Sequence, residues 1–226
     1  GLKVSVLSYG NWLTTDANNE ETQKLVNESV KRCYEYGVNF FDTAEMYACG
    51  AAETQIGHAI KALNAPRKDL VISTKLIFCD PKAPNDRGLS RKRIIEGCKA
   101  SLKRLQLDYV DLIFAHRPDY DTPLEEQVRA FSWLVDNGFA HYWGTSEWTA
   151  VHFEQACAIA ERLGLHKPVV EQCQYNMLIR ERFEKEHKQA FERRGMGTTI
   201  WSPLCGGFLT GKYNNGEIPA GSRGEL

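Results

Sequence analysis

Seven short apolar runs punctuate the chain, at residues 4–7, 38–41, 70–74, 109–115, 139–143, 169–173 and 198–201. Their starts lie roughly 30 to 40 residues apart, the size of a strand–helix–strand unit. The runs are near-continuous rather than strictly alternating, as expected of parallel strands covered by helices. Helical periodicity fills the intervals. Residues 21–36 set Leu25, Ser29, Val30 and Cys33 along one face, with Gly37 as the stop. Residues 52–63 repeat Ile56, Ala59, Ile60 and Leu63. Ser90 caps a helix running to about residue 105, with Ile94, Ile95, Cys98, Leu102 and Leu105 inward and Lys or Arg outward. Thr122-Pro123 opens the next, with Glu125 and Glu126 favourable to its dipole, and Asn137-Gly138 ends it. Residues 149–163 and 180–194 complete six helices, stopped by Gly164 and Gly195.

Seven strands alternating with six helices predict an α/β fold with a parallel sheet. A doubly wound open sheet is the rival, but no G-x-G-x-x-G follows any strand, which removes the best support for its dinucleotide-binding form. The remaining solution is a (β/α)8 TIM barrel. Such barrels need eight strands and typically run to about 250 residues. The expectation is therefore a barrel with the last βα unit missing from this chain. Neither repeats nor low-complexity stretches nor a linker interrupt it, so residues 1–226 are expected to form a single domain.

Composition narrows the classes. Apolar residues make up 42% and charged residues 25%, which excludes disorder. A net charge of −1 gives no electrostatic footprint for nucleic acid or an anionic membrane surface. No apolar run approaches the roughly 20 residues that span a bilayer. The opening Gly-Leu-Lys-Val-Ser-Val shows no secretory pattern. Seven scattered cysteines without a C-x-x-C pair suggest neither zinc nor a thioredoxin-type motif, and their odd number fits reduced thiols in a cytoplasmic protein.

In a (β/α)8 barrel the active site lies at the C-terminal ends of the strands. Those ends read Asp42, Lys75, His116, Thr145-Ser146, Gln172 to Asn176, and Trp201-Ser202. Taken singly, each has a plainer account: a helix cap, a lysine snorkelling at a rim, a loop histidine, a packed indole. Six successive strands ending in acid, cation, imidazole, hydroxyl, amide and indole describe a lined cavity. A lysine ammonium beside a phenol stabilises the phenolate. Asp42 would hold Lys75 charged, and Tyr47, five residues beyond Asp42, could then act as general acid toward a carbonyl oxygen.

The motifs that carry these residues are residues 37–47 (GVNFFDTAEMY), Ser73-Thr74-Lys75, residues 109–119 (YVDLIFAHRPD), Trp143-Gly144-Thr145-Ser146, residues 171–176 (EQCQYN), and Trp201-Ser202-Pro203-Leu204 with Gly211-Lys212-Tyr213. In this order they resemble the aldo-keto reductases, and among those the branch of the voltage-gated potassium channel β subunits. The resemblance covers essentially the whole chain. It implies NADPH-dependent reduction of aldehydes and ketones by hydride transfer, without metal. Its tetrad falls on Asp42, Tyr47, Lys75 and His116, with Tyr47 as proton donor and His116 orienting the carbonyl. Asp42 also counts among the cofactor contacts. The resemblance further implies that Ser146 and Gln172 hold the nicotinamide amide and that Trp201 stacks on the ring. Ser202, Pro203, Leu204, Cys205, Gly206 and Lys212, with Arg223 beyond, would cover the pyrophosphate, and Asn11 and Trp12 would approach cofactor and substrate.

The chain departs from the branch in several places. Animal channel subunits carry Asn at the position of His116 and Arg at that of Glu147, and the loop from Thr14 to Glu20 is shorter here. The eighth strand and following helix, which in the family read the adenosine 2′-phosphate, are absent from these residues. Two functions follow from the resemblance. The first is a carbonyl reductase acting on a small carbonyl substrate, which His116 favours. The alternative is a cytoplasmic regulatory subunit that binds NADP(H) as a redox signal, forms a homotetramer and partners a membrane potassium channel.

Overall fold

The computed structural model describes residues 1–12, 19–77 and 83–225. Its strands are β1 (Tyr9–Gly10), β2 (Phe40–Asp42), β3 (Val71–Leu76), β4 (Val110–Ala115), β5 (Ala140–Ser146), β6 (Val170–Gln174) and β7 (Gly197–Trp201). The helices are α1 (Glu20–Glu35), α2 (Ala51–Leu63), α3 (Arg91–Leu105), α4 (Leu124–Asp136), α5 (Ala150–Leu163) and α6 (Lys188–Arg194). All seven strands are parallel, and each pairs with its successor in sequence. The sheet curls as part of a (β/α)8 barrel with helices between successive strands.

Local chemistry sets the helix ends. Asn19, Ser90 and Thr149 cap α1, α3 and α5 by accepting from Glu21, Arg93 and His152 backbone N–H groups. Gly164 and Gly195 close α5 and α6 in the left-handed conformation. Asn64 and Gln106 take that role for α2 and α3, where the sequence offers no glycine.

The sheet has two faces, and the period-two alternation of side chains assigns them. One carries Phe41, Ile72, Leu76, Ile113, Ala115 and Trp143 into the large core shared with the helices. The other carries Phe40, Val71, Leu112, Phe114 and Val170 into a small apolar cluster that Leu2 also contacts. Further along this second face, at or just beyond the strand ends, come Asp42, Ser73 and Lys75, then His116, Ser146, Gln172 and Trp201. An apolar floor and a polar mouth therefore share one face of the barrel.

Four expectations are corrected. The first strand is Tyr9–Gly10, paired with Phe41 and Asp42, and not residues 4–7. Val4, Val6 and Leu7 are exposed, and the segment is tied down by side chains instead of a ladder: Ser5 N–H donates to Asn39 Oδ1, and Asn39 N–H donates to Ser5 Oγ. On α1 Val30 is buried and Cys33 packs on the core as expected, but Leu25 is exposed and Val26 is buried instead. The sixth helix is broken: a π turn at Arg182–Glu186 precedes α6, and His187 is fully buried at the join. Arg93 is a further exception. It lies on the inner side of α3, paired with Glu45 at 2.6 Å and Asp86 at 3.0 Å. The six cysteines among the described residues are free; Cys79 and residues 13–18 lie outside them.

Candidate active site

The sequence-predicted tetrad assembles at the ends of β2, β3 and β4. Asp42 is the last residue of β2 and faces Ser73 in the β2–β3 register. Lys75 lies two residues further on the same face of β3, with its side chain fully buried. Its ammonium donates to Asp42 Oδ2 at 2.5 Å, to the Thr43 carbonyl oxygen at 2.8 Å and to Tyr47 Oη at 3.3 Å. Ser73 Oγ donates to Asp42 Oδ1 at 2.5 Å, so both carboxylate oxygens are engaged. All three ammonium protons are thus engaged, and of the three acceptors the Tyr47 phenol is the one that can pass a proton on.

Tyr47 begins a short turn whose next residues, Ala48 and Cys49, have φ of 47° and 51°, followed by Gly50 at 88°. Left-handed backbone at a non-glycine residue costs on the order of 1 kcal/mol or more. Of the seven such residues described, Asn64 and Gln106 are helix caps; the other five (Ala48, Cys49, Glu147, Ser202 and Cys205) all lie on loops after strands at the barrel mouth. Strain is concentrated where the polar side chains meet.

His116 follows β4 and packs edge-on against Tyr47, ring centroids 5.7 Å apart. Burial, reinforced by the Lys75 and Arg117 cations, pushes its imidazole down to about 2, so it is neutral at any working pH. Its Nδ1 is buried and has no hydrogen-bond partner among the described residues. Trp12 flanks the other side of Tyr47 at 6.4 Å, and the Arg223 guanidinium lies 5.0 Å over the Trp12 ring. The distal loop thus reaches back across the mouth to the phenol.

The expected cofactor residues form a second group beyond His116. Ser146 Oγ donates to the Gln172 carbonyl oxygen at 2.9 Å, and Gln172 Nε2 donates to Thr199 Oγ1 at 3.0 Å. Trp201 ends β7, partly buried. Ser202 carries φ of 54° and takes the Gly206 N–H on its Oγ at 3.2 Å, while Asn176 Nδ2 donates to its carbonyl oxygen. Pro203, Leu204 and Lys212 are exposed, and Cys205 and Gly206 are partly buried in the same loop. Asn11 is placed differently from the rest: it is buried, and its Nδ2 donates to the Ala52 carbonyl oxygen at 2.7 Å.

Several contributors were not singled out from the sequence. Ser73 and Thr199 hold Asp42 and Gln172, and the Arg117 guanidinium donates to the His116 carbonyl oxygen at 2.5 Å and Ser146 Oγ at 3.1 Å. The period-two spacing of Ser73 from Lys75 was the signal available for the first. Glu147, where the animal channel subunits carry Arg, accepts from Gln174 N–H and Trp201 Nε1–H.

On the opposite face of β6, Glu171, Cys173 and His187 bring potential metal-ligand atoms within 4.8 Å of one another. Hydrogen bonds already engage Glu171, Cys173 and His187 Nε2, while His187 Nδ1 is buried without a partner among the described residues. Glu171 accepts from Thr145 Oγ1, from Trp148 N–H at 3.1 Å and from Cys173 Sγ at 3.2 Å, and His187 Nε2 lies 3.1 Å from the Trp148 carbonyl oxygen. This set acts as a polar rivet between β5, β6 and the start of α5.

Residues 6–224 match the aldo/keto reductase family model. An Arabidopsis thaliana protein named probable voltage-gated potassium channel subunit beta is 52% identical over 223 residues, covering 99% of this chain and 67% of the relative. A protein of the same name from Oryza sativa subsp. japonica is 51% identical over 223 residues, with the same coverage. A Schizosaccharomyces pombe protein, also named as a voltage-gated potassium channel subunit beta, is 52% identical over 224 residues and is covered over 64% of its length. The chain thus spans about two thirds of the relatives it matches. Parallel βα order, motif order and these matches agree, and the chain belongs to the aldo/keto reductase family.

Proposed function

We propose that the site reduces an aldehyde or ketone to an alcohol with NADPH, with Tyr47 as the proton donor. The observation that carries this reading is the buried Lys75 ammonium, held by Asp42 and within 3.3 Å of the Tyr47 hydroxyl. A phenol is a weak acid unless its anion is stabilised, and a fixed cation beside the oxygen supplies that. Tyr47 gives its proton to the carbonyl oxygen as negative charge develops there. Lys75 then faces the phenolate, and Asp42 keeps the lysine in place. Neutral His116 is suited to orient the carbonyl oxygen by a hydrogen bond and is not suited to supply a proton as an imidazolium.

The residues present fit a nicotinamide cofactor. Ser146 and Gln172 stand side by side at the mouth for a carboxamide, the Trp201 indole stands at the end of β7 for the ring, and Lys212 and Arg223 offer cations to a diphosphate. The bound cofactor would supply the hydride. Its preference for NADPH over NADH follows from the family resemblance.

The test is steady-state reduction of an aromatic aldehyde by the full-length protein with NADPH and with NADH. Turnover with NADPH, lowered by about 10³-fold or more in Tyr47→Phe with cofactor binding retained, is the expected result. An unchanged rate in Tyr47→Phe would overturn the assignment.

The names of the relatives support a second reading, in which the same barrel acts as a subunit of a voltage-gated potassium channel; from the family resemblance we propose that it would do so as a cytoplasmic homotetramer. No helix among the described residues is long and apolar enough to cross a membrane. Co-purification of the full-length protein with a channel subunit, together with a tetrameric mass, is expected on this reading; a monomer that captures no channel would sink it.

A further inference from the structure

Glu147 follows β5 directly, in left-handed backbone at φ 59°. Its N–H donates to the Gln172 carbonyl oxygen at 3.1 Å, which fixes the turn against β6. Its side chain is 20% exposed and reaches across two strand ends: Oε1 accepts from Gln174 N–H at 2.7 Å and from Trp201 Nε1–H at 2.8 Å. Arg182 Nη2 stands 3.8 Å from Oε2 and balances the charge. One carboxylate therefore joins β5, β6 and β7 at the mouth, and it grips the indole by that ring's sole polar atom.

A tryptophan at the end of a strand is free to turn about its two side-chain torsions unless something holds the ring. At Trp201 the hydrogen bond to Glu147 supplies that restraint, and the carboxylate is anchored in turn by the Gln174 amide. We infer that Glu147 is a positioning residue for the cofactor, acting through Trp201: it presets the indole plane on which the nicotinamide is to stack. This rests on the reductase reading above for the identity of the ligand, whereas the Glu147–Trp201 link is a property of the chain alone. The inference differs from a direct cofactor contact, since Glu147 Oε1 is already shared by two donors and Oε2 faces Arg182.

The geometry separates reach from charge. Glu147→Gln keeps the length and an acceptor oxygen but loses the charge. Glu147→Asp keeps the charge but is one methylene short, and Glu147→Met keeps the length with no acceptor. In the ligand-free, full-length protein, NMR hydrogen exchange reads the Trp201 indole N–H, identified by its disappearance in Trp201→Phe. Protection is expected in the wild type and in Glu147→Gln, with exchange about tenfold faster in Glu147→Asp and Glu147→Met. NADPH affinity, measured by fluorescence titration, should follow the same order, weakening about tenfold in the Asp and Met variants. In a Trp201→Phe background those two substitutions should add almost nothing.

An indole N–H that stays protected in both Asp and Met variants would overturn the inference. So would an equal loss of affinity in Glu147→Gln, or full additivity with Trp201→Phe. Wild-type protein that binds no NADPH would overturn the reductase reading and the cofactor role of Glu147 with it. NADPH binding that is insensitive to Glu147→Asp and Glu147→Met removes the role of Glu147 alone.

Discussion

Lys75 makes the strongest demand on its surroundings of any single residue. Its ammonium is fully buried, and the carboxylate that balances it is almost as enclosed. Breaking a buried pair by removing one partner is strongly destabilising, because the other charge is left uncompensated. Lys75→Met should therefore lower stability by about 3 kcal/mol as well as abolish activity. Pairing it with Asp42→Asn should recover part of the stability and none of the activity, as read by denaturant unfolding beside turnover. His116 makes the opposite case. Its imidazole is already neutral over the working range, so its contribution is a hydrogen bond and not a charge. His116→Asn, which retains a donor, should reduce kcat by about 10- to 100-fold, well short of Tyr47→Phe. For the same reason the wild-type pH–rate profile should show no inflection near the ordinary histidine value, and a limb there that vanishes in His116→Asn would contradict this account.

Between residues and whole molecule, the strand is the unit that arranges the chemistry. Alternation sends Ser73 and Lys75 to the mouth and Thr74 to the helices, where its hydroxyl meets Glu53 of α2 at 2.5 Å. On β5 and β6 the same rule places Ser146 beside Gln172 and Thr145 beside Glu171. The close approach of these two strands depends on Gly144: a Cβ there would stand 2.4 Å from Val170 Cγ1 and 2.7 Å from its carbonyl oxygen. Gly144→Ala should cost on the order of 1–3 kcal/mol and weaken cofactor affinity, because Ser146 and Gln172 move with their strands. Differential scanning calorimetry beside NADPH titration would check both.

The strands from β2 onward and the first five helices were legible because long apolar runs and caps leave little choice. The strand-end residues were legible because a barrel needs its chemistry at one end. Three features were not. A two-residue β1 is shorter than any hydrophobic pattern can mark, so the apolar residues before it drew the assignment to themselves. The π turn before α6 ends at His187, whose burial is a tertiary feature invisible in local periodicity. The role of Glu147 lay in a left-handed turn and two hydrogen bonds across 27 and 54 residues, beyond what local spacing shows.

At the scale of the molecule, the rivet behind β6 gives stability a dependence on pH. Burial pushes the Glu171 carboxyl up to about 7, despite the hydrogen bonds it accepts from Thr145, Cys173 and Trp148. Since this folded value lies above the ordinary carboxylate value, the folded state holds a proton that the unfolded state has lost between about pH 4.5 and 7. Stability from this group is then highest at the acid end and declines as pH rises through 7. Glu171→Gln, similar in shape and uncharged, should be more stable than the wild type by about 3 kcal/mol at pH 8 and nearly equal to it at pH 4.5. Taking the difference between the two proteins cancels the titration of His116 and Glu45. Guanidinium unfolding at the two pH values measures it, and a gap that does not widen with pH would refute the assignment.

The apolar cluster of Phe40, Val71, Leu112, Phe114 and Val170 shares its sheet face with Asp42, Ser73 and Lys75, and the strand register sets Leu112 beside Ser73 and Phe114 beside Lys75. Apolar side chains of β4 therefore flank the acid–lysine pair. On the reductase reading, the body of a carbonyl substrate would rest against Trp12, the turn after Tyr47 and the loop from Ser202 to Arg223, so that selectivity would belong to these loops and chemistry to the strand ends. Loop exchange should then redirect the protein to new carbonyl compounds while Asp42, Tyr47, Lys75 and His116 remain as they are.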